Sequence, residues 1–205
     1  MTVTISRLYD NYSDAQRAVR GLESAGIPHS DISIVANNSD NWYNNGGKKI
    51  DRDGDGVDDR AEGAGKGAGI GAGVGGAAGL LAGLGLLAIP GLGPVVAAGW
   101  LAATAVGAAA GAATGGIVGA LTEAGVSKED APLYAEGVRR GGTLVSARVP
   151  DNDRARFEAV LNQSAVNLRD RSAAWQKSGW KSFDPASQPY GAEEVKKERQ
   201  LYGMR

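Results

Sequence analysis

The sequence predicts an α+β protein, a ferredoxin-like βαβ...βαβ sandwich that is split by a long insertion containing a Gly/Ala-rich α-helical hairpin. Three observations lead to this prediction. A strand–helix–strand pattern fills residues 1–36, a second one begins at residue 141, and an uncharged glycine-rich run lies between them. Two such units form one βαββαβ sandwich, whose second and third strands are normally joined by a short connection. The insertion is therefore the part of the chain that calls for a functional explanation.

The first unit reads as a strand, a helix and a second strand. Apolar and polar residues alternate between Val3 and Tyr9, as they do in a half-buried strand. Ser13 or Asp14 is the expected N-cap of the helix, and Gly26 ends it. The run Ile32–Val35 predicts the second strand.

The second unit completes the split domain over residues 141–171. A strand is expected from Thr143 to Val149, a helix from Pro150 through Leu161, and a closing strand at Val166–Leu168. Before this unit, residues 123–140 predict an amphipathic helix with Ser127 as its N-cap. Arg139 and Arg140 end that helix, where they either cap its last turn or bind anionic headgroups.

The segment 172–205 is expected to be a mobile tail with a short helix from Ala192 to Leu201. Two tryptophans lie in this segment. Trp175 and Trp180 would sit at a bilayer interface or pack onto the open face of the sheet.

The composition excludes several classes of function. The chain has no cysteine and a single histidine, His29, so disulfides, thiolate metal sites and zinc sites built on several histidines are excluded. The net charge is −1 and neither flank is strongly basic, so we expect no nucleic-acid partner. We find no acid–base pair and no nucleophile beside a base. We therefore expect a protein that is not an enzyme and identify no small-molecule substrate.

The uncharged run covers residues 67–122, which are 56 consecutive residues without a charged side chain. Interrupted at Pro90–Pro94, it predicts two helices, Gly67–Ile89 and Val95–Leu121. At about 1.5 Å per residue, each is long enough to cross a hydrocarbon core of roughly 30 Å. Glycines recur every four residues along each helix and would let two backbones approach closely, as small residues do between packed membrane helices. These helix-packing positions are Gly67, Gly71, Gly75, Gly79, Gly83, Gly107, Gly111, Gly115 and Gly119.

An acidic loop at residues 51–62, within a polar segment that spans residues 37–66, matches the pattern D-x-D-x-D-G-x5-E, in which oxygen atoms at fixed positions surround a calcium ion. One alternative is a solvated acidic linker that caps the following helix. The expected ligands are side-chain oxygens, with a backbone carbonyl at the single apolar position: Asp51, Asp53, Asp55, Val57, Asp59 and Glu62.

Several segments of the chain resemble bacterial general-stress proteins that contain the YflT-type heat-induced stress domain. The resemblance covers residues 3–165 and lies in the stretches 3–10, 15–19, 22–27, 32–36, 88–95 and 134–145. It implies a stress-associated, non-enzymatic bacterial protein, and it brings no catalytic residues with it.

Together these features predict a stress-associated structural protein that forms homo-oligomers and associates with or inserts into a membrane through its glycine-zipper hairpin, with Ca²⁺ as a cofactor of the acidic loop. Membrane lipid would then be a partner, and the protein would lie at the bacterial inner membrane with both flanking regions cytoplasmic. The first alternative is a cytoplasmic soluble particle or filament with the hairpins packed in its interior. The second is a domain that binds a small ligand on its sheet.

Overall fold

A computed structural model describes residues 1–39, 43, 85–89, 92–101 and 116–202, with the backbone alone for 85–89. This part of the chain is an α+β structure with one antiparallel sheet of five strands, namely β1 (Thr2–Tyr9), β2 (Ile32–Asn37), β3 (Gly85–Ile89), β4 (Gly93–Ala98) and β5 (Thr143–Pro150). Its α-helices are α1 (Tyr12–Ser24), α2 (Gly116–Glu123), α3 (Asp130–Arg139), α4 (Arg154–Leu161), α5 (Leu168–Lys177) and α6 (Ala192–Leu201). Short 3-10 helices occupy His29–Asp31 and Asp151–Asp153.

Strand β5 lies between β1 and β2 in the strand order β1-β5-β2-β4-β3. It pairs antiparallel with both neighbours, so that Ser146 lies opposite Ser6 on one side and Ser33 on the other. Because β1 and β2 both run antiparallel to β5, they are parallel to each other, and α1 is the crossover between them.

Helices cover both faces of the sheet. On one face, α1 and α4 bury Val19, Leu22 and Phe157 against the odd-numbered residues of β5. On the other face, α2 and α3 bury Leu121 and Val138 among residues of the opposite parity. This division follows from the alternation of side chains along each strand. The second helical layer was not predicted.

The first unit forms as predicted, except at the start of its helix. Helix α1 begins at Tyr12, and its N-cap is Asn11 rather than Ser13 or Asp14. The Asn11 side-chain oxygen accepts the Asp14 backbone N–H at 2.8 Å, and its amide donates to the Asp14 carboxylate at 2.9 Å. This reciprocal bonding satisfies an otherwise free helix donor, which is why the cap lies further upstream.

The predicted closing strand at Val166–Leu168 is wrong. Val166 donates one backbone hydrogen bond to the Leu8 carbonyl at 2.8 Å, but α5 begins at Leu168. Asn167 is the N-cap of that helix, since its side chain accepts the Arg169 and Asp170 backbone N–H groups. A strong cap so close to β1 starts a helix before a strand can extend.

The glycine-rich run does not form the two full-length helices that the sequence predicted. Residues 85–89 and 93–98 are strands β3 and β4, and the register pairs Leu87 with Val95. Strand β4 in turn pairs with β2, so this hairpin extends the sheet beyond the predicted domain. The predicted helix boundaries at Ile89 and Val95 are therefore corrected. The amphipathic helix before β5 does form, as α3, but its N-cap is Glu129 rather than the predicted Ser127. Ser127 Oγ still accepts the Asp130 backbone N–H at 3.0 Å.

The segment after Ser172 is packed against the domain over its described residues. Helix α6 has the predicted bounds, Ala192–Leu201. The Trp175 side chain is 1% exposed, where the sequence predicted a mobile tail. Trp180 contacts it edge to face, with ring centroids 5.7 Å apart.

Two buried tyrosines tie helical segments to the first strand. The Tyr9 hydroxyl donates to the Leu161 carbonyl at the end of α4, at 2.6 Å, and the Tyr134 hydroxyl of α3 donates to the Ser6 carbonyl at 2.7 Å. Burial is the main cause that raises the pKa of both phenols above the ordinary value of about 10. Both hydroxyls therefore stay protonated in the folded protein where the unfolded chain has begun to ionise.

We predict that the free energy of unfolding falls as the pH rises above 10. The unfolded tyrosines lose protons there while Tyr9 and Tyr134 keep them, so each contributes a loss of about 1.4 kcal/mol per pH unit until its folded pKa is reached. Urea unfolding at pH 8, 10 and 11 measures this slope. The Tyr9→Phe variant should show a shallower fall above pH 10, and an unchanged slope in that variant would contradict the assignment.

Candidate functional site

The β3–β4 hairpin brings the two glycine-rich segments to one corner of the sheet. Gly85, which follows the first segment, lies opposite Ala97 near the end of β4. The second segment begins after Leu101. Gly85, directly after the first segment, therefore lies across the hairpin from Ala97, four positions before Leu101.

Gly99 allows the chain to turn away at this corner. Its φ angle is +89°, a conformation that side chains strongly disfavour. A Cβ atom at this position would lie 2.3 Å from the Ile32 carbonyl oxygen and 2.8 Å from the Ser33 Cα atom. Both atoms belong to the backbone of β2 and cannot move aside. The corner therefore requires glycine for two independent reasons.

The second glycine-rich segment is anchored at both ends in one hydrophobic core. Leu101 before it is fully buried and Ile117 after it is 1% exposed, and both belong to the cluster between the sheet and α3. Residues 102–115 are 14 of the 15 residues between these two anchors. About 20 residues are needed for a helix to cross a bilayer. Within the described residues, no helix combines the length and the apolar character that a membrane crossing requires.

Most of the predicted site residues lie outside the described ranges. This holds for the whole acidic loop, Asp51 to Glu62, and for all of the predicted helix-packing glycines except Gly119. Gly119 lies in α2, and a Cβ atom there would meet no atom within 4 Å. Among the residues that the structure describes, no three His, Asp or Glu side chains gather into a group that could hold a metal ion. Calcium binding by the acidic loop stays a prediction.

A second cluster of functional interest fastens the C-terminal segment to the domain. We call it the C-terminal clasp, and it consists of Glu136, Arg139 and Arg140 from the end of α3 together with Trp175 and Glu198 from the tail. Glu136 is fully buried and accepts hydrogen bonds from both arginines. Glu198 accepts from Arg140 at 3.0 Å and from the Trp175 indole at 2.9 Å. The two arginines and two glutamates balance in formal charge.

Aromatic rings surround the arginines of the clasp. The Arg140 guanidinium carbon lies 5.1 Å from the Trp175 ring centroid, and the Arg139 guanidinium carbon lies 4.7 Å from that of Tyr190. Burial lowers the pKa of Arg140, but the hydrogen bonds and charges of Glu136 and Glu198 outweigh it, and the pKa lies above its ordinary value. Both arginines thus form ion pairs and ring contacts within the chain.

The sequence singled out Arg139, Arg140 and Trp175 of the clasp, but not the two glutamates that pair with them. Glu136 stands three and four positions before the two arginines, a spacing that favours ion pairs on a helix. Glu198 is 58 positions from Arg140, and no local pattern connects them. Trp175 is buried, but it contacts Arg140, Glu198 and Trp180 rather than the open face of the sheet that the sequence predicted.

No family model, curated protein or solved structure matches this chain. The corner and the clasp are therefore interpreted from their own geometry.

We predict that Gly99→Ala destabilises the protein more than Gly125→Ala does. Both glycines have a positive φ, +89° and +95°, so each substitution costs about 1 kcal/mol of backbone strain. Only Gly99 has backbone atoms in the way of a Cβ atom, and this adds about 1–3 kcal/mol. The urea midpoints of the two variants measure the difference. Equal midpoints would show that the corner tolerates a side chain.

We predict that Glu198→Ala releases the tail from the domain. It leaves Arg140 with one of its two carboxylate partners and the Trp175 indole without its acceptor, at a cost of about 3 kcal/mol. Limited proteolysis after α5 should become faster, and Trp175 fluorescence should shift to longer wavelength. Glu193→Ala, an exposed position on the same helix, should change stability by no more than about 0.5 kcal/mol. Unchanged fluorescence and proteolysis in Glu198→Ala would contradict this role of the clasp.

Proposed function

We propose that this chain is a non-enzymatic structural protein that self-associates through the glycine-rich segments that leave the corner of its sheet. The observation that carries the proposal is the β3–β4 hairpin, which places Gly85, directly after one glycine-rich segment, opposite Ala97, four positions before Leu101, where the other segment follows. Two segments of small residues that are attached to one end of the same hairpin are well placed to pack closely, because glycine lets two backbones approach.

The sequence of these segments supports packing in an assembly. In water, glycine in a helix costs about 1 kcal/mol relative to alanine, so a glycine-rich segment needs close contacts to offset this cost. A second copy of the chain could supply the same surface. The length of residues 102–115 between two buried anchors favours this soluble assembly over a hairpin that crosses a bilayer.

Membrane association is the second candidate, and the absence of charged residues over positions 67–122 favours it. In this form the glycine-rich segments would lie against lipid. The turn at Pro90–Pro94 would not cross the bilayer, since β4 begins at Gly93 in the sheet. A role in stress rests on the sequence resemblance alone. Calcium in the acidic loop would act on the approach of the first glycine-rich segment, because Glu62 lies four positions before Lys66.

We also infer that the split ferredoxin-like domain predicted from the sequence corresponds to β1, α1, β2, β5 and α4. The strand order β1-β5-β2, with β1 parallel to β2, supports this inference, because it is the order of the first three strands of that fold. The single hydrogen bond from Val166 to Leu8 lies where its fourth strand would pair. The β3–β4 hairpin extends the opposite side.

We predict that the purified chain is larger than its monomer mass of 20.9 kDa and that Gly75→Leu reduces its association. Gly75 belongs to the four-residue glycine series, whereas Ala77 lies two positions away on another side of a helix. Ala77→Leu adds a comparable side chain outside the series and is the matched control. Light scattering after size exclusion measures the mass of all three proteins.

Carbonate extraction of cell membranes distinguishes the soluble assembly from the membrane-associated form. A soluble assembly passes into the supernatant as a particle of defined size, whereas a lipid-embedded protein stays in the pellet. A monomer under all conditions, with and without detergent, would refute self-association in either environment.

A further inference from the structure

The two edges of the sheet differ in how their outward backbone groups are used. At the β1 edge, the Leu8 carbonyl accepts the Val166 backbone N–H, and the Ser6 carbonyl accepts the Tyr134 hydroxyl and the Arg7 guanidinium. These contacts block the addition of another strand, as natural proteins commonly arrange at exposed edges.

Strand β3 forms the other edge of the sheet in the described part of the chain. Its sequence, Gly85–Ile89, is Gly-Leu-Leu-Ala-Ile. It holds no charged residue and no proline, which are two devices that protect edge strands from pairing with another chain. An uncharged, apolar edge of this kind is a template for strand addition.

The register identifies which backbone groups of β3 point outward. The Asn38 N–H donates to the Pro94 carbonyl, so Pro94 faces β2 and its neighbour Val95 faces β3. Leu87 pairs with Val95 and therefore directs its N–H and C=O groups toward β4. Leu86 and Ala88, one position to either side, direct theirs away from the sheet.

We propose that a second copy of this chain pairs with this edge, β3 against β3 in antiparallel orientation, with Leu87 of each copy on the two-fold axis. Leu86 of one copy would exchange two hydrogen bonds with Ala88 of the other, and the symmetry repeats this exchange, which gives four hydrogen bonds. The two sheets would form one continuous sheet of ten strands. The proposal rests on the proposed self-association and adds the β3 edge to the glycine-rich segments as a second surface of contact between copies.

The occupant is a second copy because the edge is self-complementary. Antiparallel pairing about one residue needs the same donor and acceptor pattern on both strands, and Leu86 and Ala88 provide it symmetrically about Leu87. An uncharged strand also brings no like charges together across the axis.

A cross-linking experiment tests this geometry, since the chain has no cysteine of its own. In the proposed dimer the two Leu87 residues form a non-hydrogen-bonded pair with Cα atoms about 4.5 Å apart, which is within the range for a disulfide. The full-length Leu87→Cys variant should therefore become a covalent dimer on mild oxidation. Leu86→Cys is the matched control, because its symmetry mate is displaced by two residues, about 7 Å along the strand. It should cross-link at least ten times more slowly.

A second variant removes the pairing without a cysteine. The Ala88 N–H points outward and makes no bond within the sheet, so Ala88→Pro should abolish the dimer contact. At a protein concentration at which the wild type is monomeric, the urea midpoint of this variant should stay unchanged. Thr4→Pro is its counterpart at the β1 edge, where even-numbered residues also point outward, and should leave the association unchanged.

The outcomes separate this inference from the proposed function. An oligomer by light scattering in which Leu87→Cys cross-links no faster than Leu86→Cys would overturn the edge pairing and leave self-association standing. A wild-type chain that is monomeric at all concentrations would overturn both. Selective cross-linking of Leu87→Cys that is lost when Ala88→Pro is added would support the pairing.

Discussion

The rest of the structure depends on β5, the strand that is hydrogen-bonded on both sides. It pairs with β1 along all eight residues from Thr2 to Tyr9 and with β2 along Ile32–Ala36. Thr143 comes 106 positions after Asn37, so the chain must leave the sheet after β2 and return to its centre. Everything between these strands is therefore tied to the domain at both ends, and the hairpin β3–β4 adds a third attachment to β2.

The return to the sheet brings α3 close to β1 on the second face. Gly137 in α3 has no room for a side chain, since a Cβ atom there would lie 2.4 Å from the Leu8 Cδ2 atom. Below this contact, small hydroxyl side chains cross the sheet in one row. Ser6 and Ser146 bond to each other at 2.8 Å, and Ser33 donates to the Ala98 carbonyl at 2.9 Å. Because these buried hydroxyls are satisfied locally, the row of serines adds no unpaired polar group to the core.

Local patterns predicted the elements whose partners are near in sequence. β1, α1 and β2 could be inferred because their alternation, helical spacing and turn at Gly26 need no distant contact. The strands β3 and β4 could not, since a short apolar run has no period that separates a buried strand from a buried helix. The β-branched pair Val95 and Val96 favours a strand, and the proline and glycine residues at 90–94 allow either a hairpin or a break between helices.

In the candidate site, too, the contacts between residues distant in sequence could not be predicted. Glycine spacing predicts a region of close packing, but the need for glycine at position 99 comes from the backbone of β2, which pairs with β4 only in the folded sheet. The pairing of Glu198 with Arg140 likewise depends on the path of the chain through α5 and α6. Sequence alone singled out Arg139, Arg140 and Trp175, but neither their glutamate partners nor Gly99. The acidic loop and eight of the nine predicted packing glycines lie outside the described residues, so their interpretation still rests on sequence.

The clasp shows how a segment with little apolar surface can be held in one position. The only buried residues of α5 and α6 are Trp175, Val195 and Glu198, and all three lie beside the end of α3. Removing two glutamates and two arginines from water costs free energy that their mutual attraction only partly returns. Such a cluster therefore contributes little net stability. It does penalise every other placement of the tail, because each would leave buried charges unpaired. The tail is thus held in one register by the cost of misplacing it, while Val195 against Gly141 supplies the apolar contact.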